Sequence, residues 1–357
     1  MDLNELNQRF NSGTKSYFAA IRFPGEKDTY FFYASPRPGL KPMKLKTGKP
    51  SFVCSPYAAG NLAYLFDANL IYKNDTVIYQ DQWYKELDDL DSEMSGENRY
   101  ASLEHYTAYV NEAIQTLKQE KLNKVVAARS EKVAVPDSFN RAAYFLRLCE
   151  HYPEACVYYF SIPGIGTWAG ASPEKLLALD EHKLSTVALA GTRLQSENRA
   201  WTIKEKQEQS ITASYIRKKL QQQDITFNES EVESITTGEL QHLSSWFEGT
   251  FPQEEQEEKW NRLLNKLNPT PAVCGEPRDK AMSFIAEHEN LERRFYSGFI
   301  GMTDGNGNAR LFVNIRCLQW VNDAVILYAG AGITPDSVAN EEWKETERKL
   351  NALRNLL

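Results

Sequence analysis

Hydrophobic and polar positions along this chain switch repeatedly between a helical period and a period of two. From Leu103 to Leu117, the residues Tyr106, Tyr109, Val110, Ala113, Ile114 and Leu117 recur at helical spacing and predict an amphipathic helix. The next segment, LNKVVAARSEKVAV, alternates instead, so a pleated strand would send Lys124 and Val126 to one face and Val125 and Ala127 to the other. Lys124 therefore opens a strand that reads as buried. A helix over Asp137 to His151 follows, then a strand over Ala155 to Ile162 stopped by Gly164 and Gly166. Lys175 to Leu179 and Lys183 to Leu189 form a predicted hairpin across Asp180 to His182. Trp201 to Leu220 reads as helix, and LNPTPAVCGEPRDKAMSFI as a Pro-rich loop leading into another. The segments Arg294 to Met302, Ala309 to Trp320 and Ala324 to Ala329 read as a meander whose first turn, Asp304 to Asn308, is rich in Gly and Asn.

Before residue 100 the pattern is aromatic and strand-like at Ser16 to Phe23, Tyr30 to Tyr33 and Leu62 to Tyr72. The acidic stretch Lys85 to Asn98 has no periodicity and is expected to be an exposed connection. Strands interleaved with helices, several of them joined as hairpins, predict a mixed antiparallel α+β architecture rather than a doubly wound nucleotide-binding fold.

The C-terminal stretch AVILYAGAGITPDSVANEEWKETERKL concentrates the candidate chemistry. Ala324 to Tyr328 has the character of a buried strand, and Ala329 to Gly332 permits a tight turn able to aim N–H groups at an anion. Glu342, Glu345 and Lys349 then project from one face of a helix over Glu341 to Leu350. Glu205 and Glu208 repeat the three-residue spacing on the helix over Trp201 to Leu220. Taken singly, such pairs are solvated helix faces, and a strand lysine such as Lys124 is a snorkelling residue. Buried together, four carboxylates would need a cation between them, and an all-oxygen donor set favours Mg²⁺. Lys124 buried near that cation would lose basicity and could serve as a general base.

Composition narrows the classes. In 357 residues, 42% hydrophobic, no apolar run is long enough to span a bilayer and no N-terminal signal is visible, so a cytoplasmic protein is expected. A net charge of −7 with dispersed Lys and Arg argues against nucleic-acid or membrane partners. Five cysteines, in no CxxC or Cys/His spacing, read as reduced core thiols. The chain lacks a G-x-G-x-x-G opening a helix after a strand, a GKS or GKT, an HExxH and a G-x-S-x-G, which removes dinucleotide, P-loop, zinc-protease and serine-hydrolase readings.

The segments KVVAAR, GASPEKL, ALAGTR, the KEKQE helix, NPTPAVCGEPR, RRFYSGFIG, FVNIR and AGAGI followed by EEWKET resemble, in order, those of the chorismate-utilising enzymes. That family includes isochorismate, salicylate, anthranilate and aminodeoxychorismate synthases. The resemblance covers Leu103 to Leu357. Residues 1–100 match weakly and are expected to be a variable N-terminal part of the same fold, with 101–357 the chorismate-binding catalytic region. The implied fold is α+β, with two central, mainly antiparallel β-sheets packed together and helices outside, as in anthranilate synthase component I and aminodeoxychorismate synthase.

The resemblance implies Mg²⁺ bound by Glu208 and Glu345, with Glu205 and Glu342 close by and acting through water, so that the metal clamps the ring carboxylate of chorismate. The contacts of the other carboxylate fall on Tyr296, Arg316, the backbone around Gly330 and Lys349, while Gly191, Thr192 and His242 line the ring. Members that add water carry a lysine at the position of Lys124, whereas anthranilate synthases usually have glutamine. Ala190 stands where aminodeoxychorismate synthases often place a nucleophilic lysine. The implied activity is isochorismate synthase: Lys124 takes a proton from water attacking C2, and Glu174 protonates the C4 hydroxyl as it leaves. Salicylate synthase, which shares Lys124 and Glu174 but also eliminates pyruvate, is one alternative, and a catalytically silent chorismate-binding protein another. No glutamine amidotransferase partner is expected. Isochorismate feeds menaquinone and catechol siderophores, of which menaquinone is the expectation here. One departure is Asn268, where many isochorismate synthases have histidine, and a changed loop hydrogen bond is expected there.

Overall fold

A computed structural model describes residues 3–13, 17–35, 37–81, 101–136 and 138–357. The acidic stretch Lys85 to Asn98 lies outside the described residues. After α1 (Leu3–Gly13) the chain forms β1 (Tyr17–Arg22), β2 (Thr29–Ala34), β3 (Gly39–Pro42), β4 (Ser51–Ser55), β5 (Leu62–Leu65), β6 (Leu70–Lys73) and β7 (Thr76–Gln80). The middle comprises α2 (Leu103–Lys118), β8 (Lys124–Ala134), α3 (Arg141–His151), β9 (Cys156–Ile162), β10 (Gly166–Ser172), β11 (Lys175–Asp180), β12 (Lys183–Leu194) and α4 (Ile203–Gln221). The last part runs β13 (Thr226–Glu229), β14 (Glu233–Thr237), β15 (Leu240–Thr250), α5 (Gln256–Leu267), β16 (Gly275–Glu276), α6 (Arg278–His288), β17 (Phe299–Thr303), β18 (Ala309–Val313), β19 (Cys317–Val321), β20 (Ala324–Ile333) and α7 (Ala339–Arg354).

The strands form two antiparallel sheets of ten. The first has the order β16-β8-β20-β19-β10-β9-β1-β2-β6-β7, and the second β13-β15-β12-β11-β18-β17-β4-β5-β3, with β14 also paired to β15. Period-two alternation decides which side chains face which layer. Ala19 and Ile21 of β1 join Phe32, Phe160 and Trp168 in a core shared with Phe52, Ile300, Met302 and Phe312 of the second sheet. Phe18 and Ala20 point the other way, against Phe10 of α1 and Phe145 and Leu148 of α3. The outer face of the second sheet packs Leu177, Leu184 and Phe247 against Ile216 of α4 and Trp260 and Leu264 of α5. The molecule is thus an α+β stack of helices, sheet, sheet and helices. Among the described residues no helix is long and apolar enough to cross a membrane.

Several elements differ from the pattern-based expectation. The helix expected from residue 137 starts at Arg141, where the Asn140 side chain accepts from the Ala143 N–H as a cap. Strand β17 starts only at Phe299, after a turn that includes Arg294 and Ser297 at positive φ. Ala309 to Trp320 is two strands rather than one: β18 belongs to the second sheet and β19 to the first. Apolar positions recur on both sides of Asn314 and Arg316, so the pattern alone hides the break, which occurs where Arg316 adopts φ 48°. The expected turn at Ala329 to Gly332 is absent, because β20 runs straight through to Ile333 with every residue paired to β8.

Candidate active site

The chain passes between the sheets twice in close proximity. It leaves the first sheet after Ser172, turns through Pro173 and Glu174 and enters the second at Lys175, then returns between Val313 and Cys317. The two crossings are tied together, since the Val313 N–H donates to the Glu174 carbonyl at 2.9 Å and the Ala171 N–H to the Arg316 carbonyl at 3.0 Å. Glu174 and Arg316 thereby stand at the seam of the two sheets. Beside them opens a cavity whose lining includes Lys124, Gly191, Thr192, His242, Tyr296 and Lys349. Of the acidic candidates, Glu208 and Glu345 reach this lining, and so does Gly330.

Lys124 begins β8 and is 1% exposed. Burial pushes its ammonium pKa down from the usual 10.5, opposed by Glu208, whose Oε2 lies 3.3 Å from the Lys124 Nζ. Glu174 is equally buried, and loss of water raises its carboxyl to about 8, against the smaller opposing influences of Lys124 and Thr270. The Thr270 hydroxyl donates to Glu174 Oε1 at 3.4 Å. At neutral pH a carboxylic acid and a lysine of lowered basicity therefore share one cavity.

Arg316 is buried, and among the described residues no carboxylate pairs with it. Its guanidinium donates to the Thr237 carbonyl at 3.2 Å and to His242 Nε2 at 2.5 Å, and burial lowers its pKa to about 10. An arginine can only donate, so Nε2 accepts and the imidazole proton sits on Nδ1, 3.2 Å from the Gly191 carbonyl. Burial, with Arg316 and Lys349 adding to it, keeps this histidine neutral. A buried, uncompensated guanidinium facing a cavity calls for an anionic ligand.

The glycines of the AGAG motif serve close approach rather than a turn. A Cβ at Gly332 would stand 2.0 Å from Glu208 Oε2 and 2.9 Å from Lys124 Cε, and one at Gly330 would stand 2.8 Å from the Tyr296 hydroxyl. Lys349 donates to the Gly330 carbonyl at 2.8 Å and to Glu345 Oε1 at 2.8 Å.

Three of the four glutamates gather. Lys204 Nζ lies 3.0 Å from Glu208 Oε1, 3.1 Å from Glu342 Oε1 and 3.9 Å from Glu345 Oε2. Burial raises the Glu342 carboxyl and Glu345 adds to this; in Glu345 the lysines Lys349 and Lys204 outweigh burial and hold it below the usual range. Glu205 is turned away. Both its oxygens are taken by Arg199, at 2.7 and 2.9 Å, and Oε2 also receives the Thr202 N–H at 2.7 Å in a capping box at the start of α4. The donors around Lys204 are oxygens only, gathered on a single positive charge, which is the chemistry a hard divalent cation requires.

Sequence reasoning passed over Lys204, Thr270, Tyr328 and the apolar lining residues Leu189, Ala272 and Ile315. Lys204 had a readable signal, its position four residues before Glu208. Asn268 donates to the Gly60 carbonyl at 2.8 Å, which fixes the loop before Pro269.

A family model described as chorismate binding enzyme matches residues 67–357. Isochorismate synthase EntC of Escherichia coli (strain K12) is 30% identical over 246 residues, 66% of this chain and 62% of that relative. The matched region thus spans about three fifths of the relative's length. Among solved structures, the putative 2,3-dihydroxybenzoate-specific isochorismate synthase DhbC of Bacillus anthracis superposes with a TM-score of 0.79 at 20% identity, covering 99% of both chains. Anthranilate synthase component I of Streptococcus pneumoniae TIGR4 superposes at 0.69 with 18% identity, covering 95% of this chain and 92% of that one.

Proposed function

The chain belongs to the chorismate-binding enzyme family, and from that premise we propose that it is an isochorismate synthase, an isomerase that converts chorismate to isochorismate in the cytoplasm. The observation that carries this reading is the pairing, in one cavity, of a buried lysine of lowered basicity with a buried carboxylic acid held protonated to about pH 8. Burial disfavours the charged form of both groups, so a neutral amine can act as base beside a carboxyl that still holds a proton to give as acid.

Lys124, neutral when it acts, accepts a proton from the water whose oxygen bonds to C2 of the ring. Glu174 gives its proton to the C4 hydroxyl, which departs as water while both conjugated ring double bonds shift by one position, C1=C2 to C1=C6 and C5=C6 to C4=C5. One water enters and one leaves, and solvent returns the protons to their starting groups. Arg316 and Lys349 offer positive charge to the substrate's carboxylates, and Tyr296 a hydroxyl. The neutral His242 accepts from Arg316 and so fixes its guanidinium, and the extended β20 keeps its Gly330 carbonyl on Lys349. Glu208 and Glu345 would hold Mg²⁺, with Glu342 in reach, and the bound cation would neutralise and orient the ring carboxylate. Glu205, saturated by Arg199 and Thr202, shapes the start of α4. A lysine base directs the reaction to water rather than ammonia, so no glutamine amidotransferase subunit enters the proposal, and menaquinone synthesis is its proposed destination.

Product analysis tests this reading directly. Purified protein is incubated with chorismate, with and without Mg²⁺, and the products are separated by chromatography. Isochorismate alone, formed only with metal, is the expected result. Salicylate with pyruvate would move the assignment to salicylate synthase, and binding without conversion would make the chain a silent chorismate-binding protein.

A further inference from the structure

The point where the carboxylates of α4 and α7 converge already holds a cation supplied by the chain. Lys204 Nζ takes Glu208 Oε1 at 3.0 Å, both oxygens of Glu342 at 3.1 and 3.2 Å, and Glu345 Oε2 at 3.9 Å. The remaining oxygens point elsewhere: Glu208 Oε2 to Lys124 at 3.3 Å and Glu345 Oε1 to Lys349 at 2.8 Å. Three carboxylates and three ammonium groups thus form a neutral set, and the four oxygens on Lys204 are those left over once Lys124 and Lys349 are served. The lysines are not equivalent. The Lys124 side chain is 1% exposed, whereas those of Lys204 and Lys349 are 21% and 24% exposed; Lys349 is also anchored on the Gly330 carbonyl, while Lys204 follows Ile203, 84% exposed at the first residue of α4. Lys204 thus joins the cluster through carboxylates alone, on a side chain that is partly exposed.

We propose that Lys204 is a resident counter-ion: its ammonium occupies the position of the divalent cation in the metal-free protein, holds α4 to α7 there, and swings to solvent when metal enters. This inference rests on the metal-dependent reading of the site. A divalent ion arriving while Lys204 stayed in place would meet a like charge within contact distance, which a partly buried setting punishes severely. Displacement removes that repulsion and exposes the four oxygens to the ion together. Lys204 therefore tunes how tightly metal is held without touching the reacting atoms.

The test uses the full chain, freed of metal with a chelator and titrated with Mg²⁺ alone, without substrate, comparing wild type with Lys204→Met. The readouts are the Tm at each Mg²⁺ concentration and the heat of Mg²⁺ binding. In Lys204→Met the metal-free Tm is expected to fall, the rise in Tm on adding Mg²⁺ to exceed that of wild type, and the affinity for Mg²⁺ to increase at least about tenfold. Lys204→Arg guards against a general folding defect, because it keeps the charge and is expected to retain the metal-free Tm without the gain in affinity. Equal Mg²⁺ affinity in wild type and Lys204→Met, or weaker affinity in Lys204→Met, overturns the inference while leaving isochorismate formation as a separate matter. Absence of any Mg²⁺ response in either protein overturns it together with the metal-dependent reading.

Discussion

The roles proposed for Lys124 and Glu174 rest on burial, and burial sets the sign of each effect. Glu174 binds its proton up to about pH 8 when folded, whereas an exposed glutamate releases it near 4.5. Between those values the folded state holds a proton that the unfolded chain has lost, so stability falls as pH rises through the window and is level above it. Turnover that needs the protonated acid is expected to decline above about pH 8. Glu174→Gln should abolish isomerisation yet raise Tm by about 2–4 °C at pH 8.5 and by little near pH 4.5; thermal melts at the two pH values check this. Lys124→Ala is expected to lower kcat by about 10²–10⁴-fold with folding and Mg²⁺-dependent chorismate binding retained, and near wild-type turnover would remove the proposed base. Gly332→Ala is expected to lower stability by about 1–3 kcal/mol, because a Cβ there would overlap the buried ends of Glu208 and Lys124. Those ends are also the chemically active ones, so activity should drop sharply in the same assay. At this scale Lys124, Glu174 and the glutamates could be picked out from their order along the chain. The spacing of Lys204 to Glu208 was readable, but its other partners, Glu342 and Glu345, and the Glu174 partner of Thr270 come from other elements and left no trace.

Elements were legible where one period ran to a clear stop. The helix over Leu103 to Leu117 and the strand opening at Lys124 agree with the structure to within a residue or two. Ala309 to Trp320 misled because a change of sheet leaves alternation intact, and AGAG misled because glycine serves close packing as readily as turning. The start of α4 offers a test at this scale. Thr202 accepts from the Glu205 N–H at 3.2 Å, and Glu205 returns the bond to the Thr202 N–H at 2.7 Å. Thr202→Ala should cost about 1 kcal/mol of stability in a denaturant titration. It should also weaken Mg²⁺ binding, since Glu208 lies one turn further along the same helix.

For the molecule as a whole, the first hundred residues carry almost no motif yet supply strands to both sheets. β1 pairs with β9, and β4 pairs with β17, so these additions lie inside the sheets. Phe32, Phe52 and Phe66 from this region pack in the core between the layers. A fragment of residues 101–357 is therefore expected to lack a cooperative thermal transition, which circular dichroism on the isolated fragment would reveal. That dependence was invisible in the sequence, because β-pairing between distant segments leaves no local trace in either partner.

The two neighbouring crossings between the sheets have a further consequence. The Glu174 carbonyl accepts from the Val313 N–H and the Arg316 carbonyl from the Ala171 N–H, which bolts the two crossings together where one layer hands the chain to the other. Their spacing is an alignment mark for the whole sandwich, and a packing change far away, at Phe52 or Ile300, would be felt there as a misregistration. Under the proposed mechanism, activity doubles as a quality check on assembly, and a protein engineer moving the site would have to move both layers or neither.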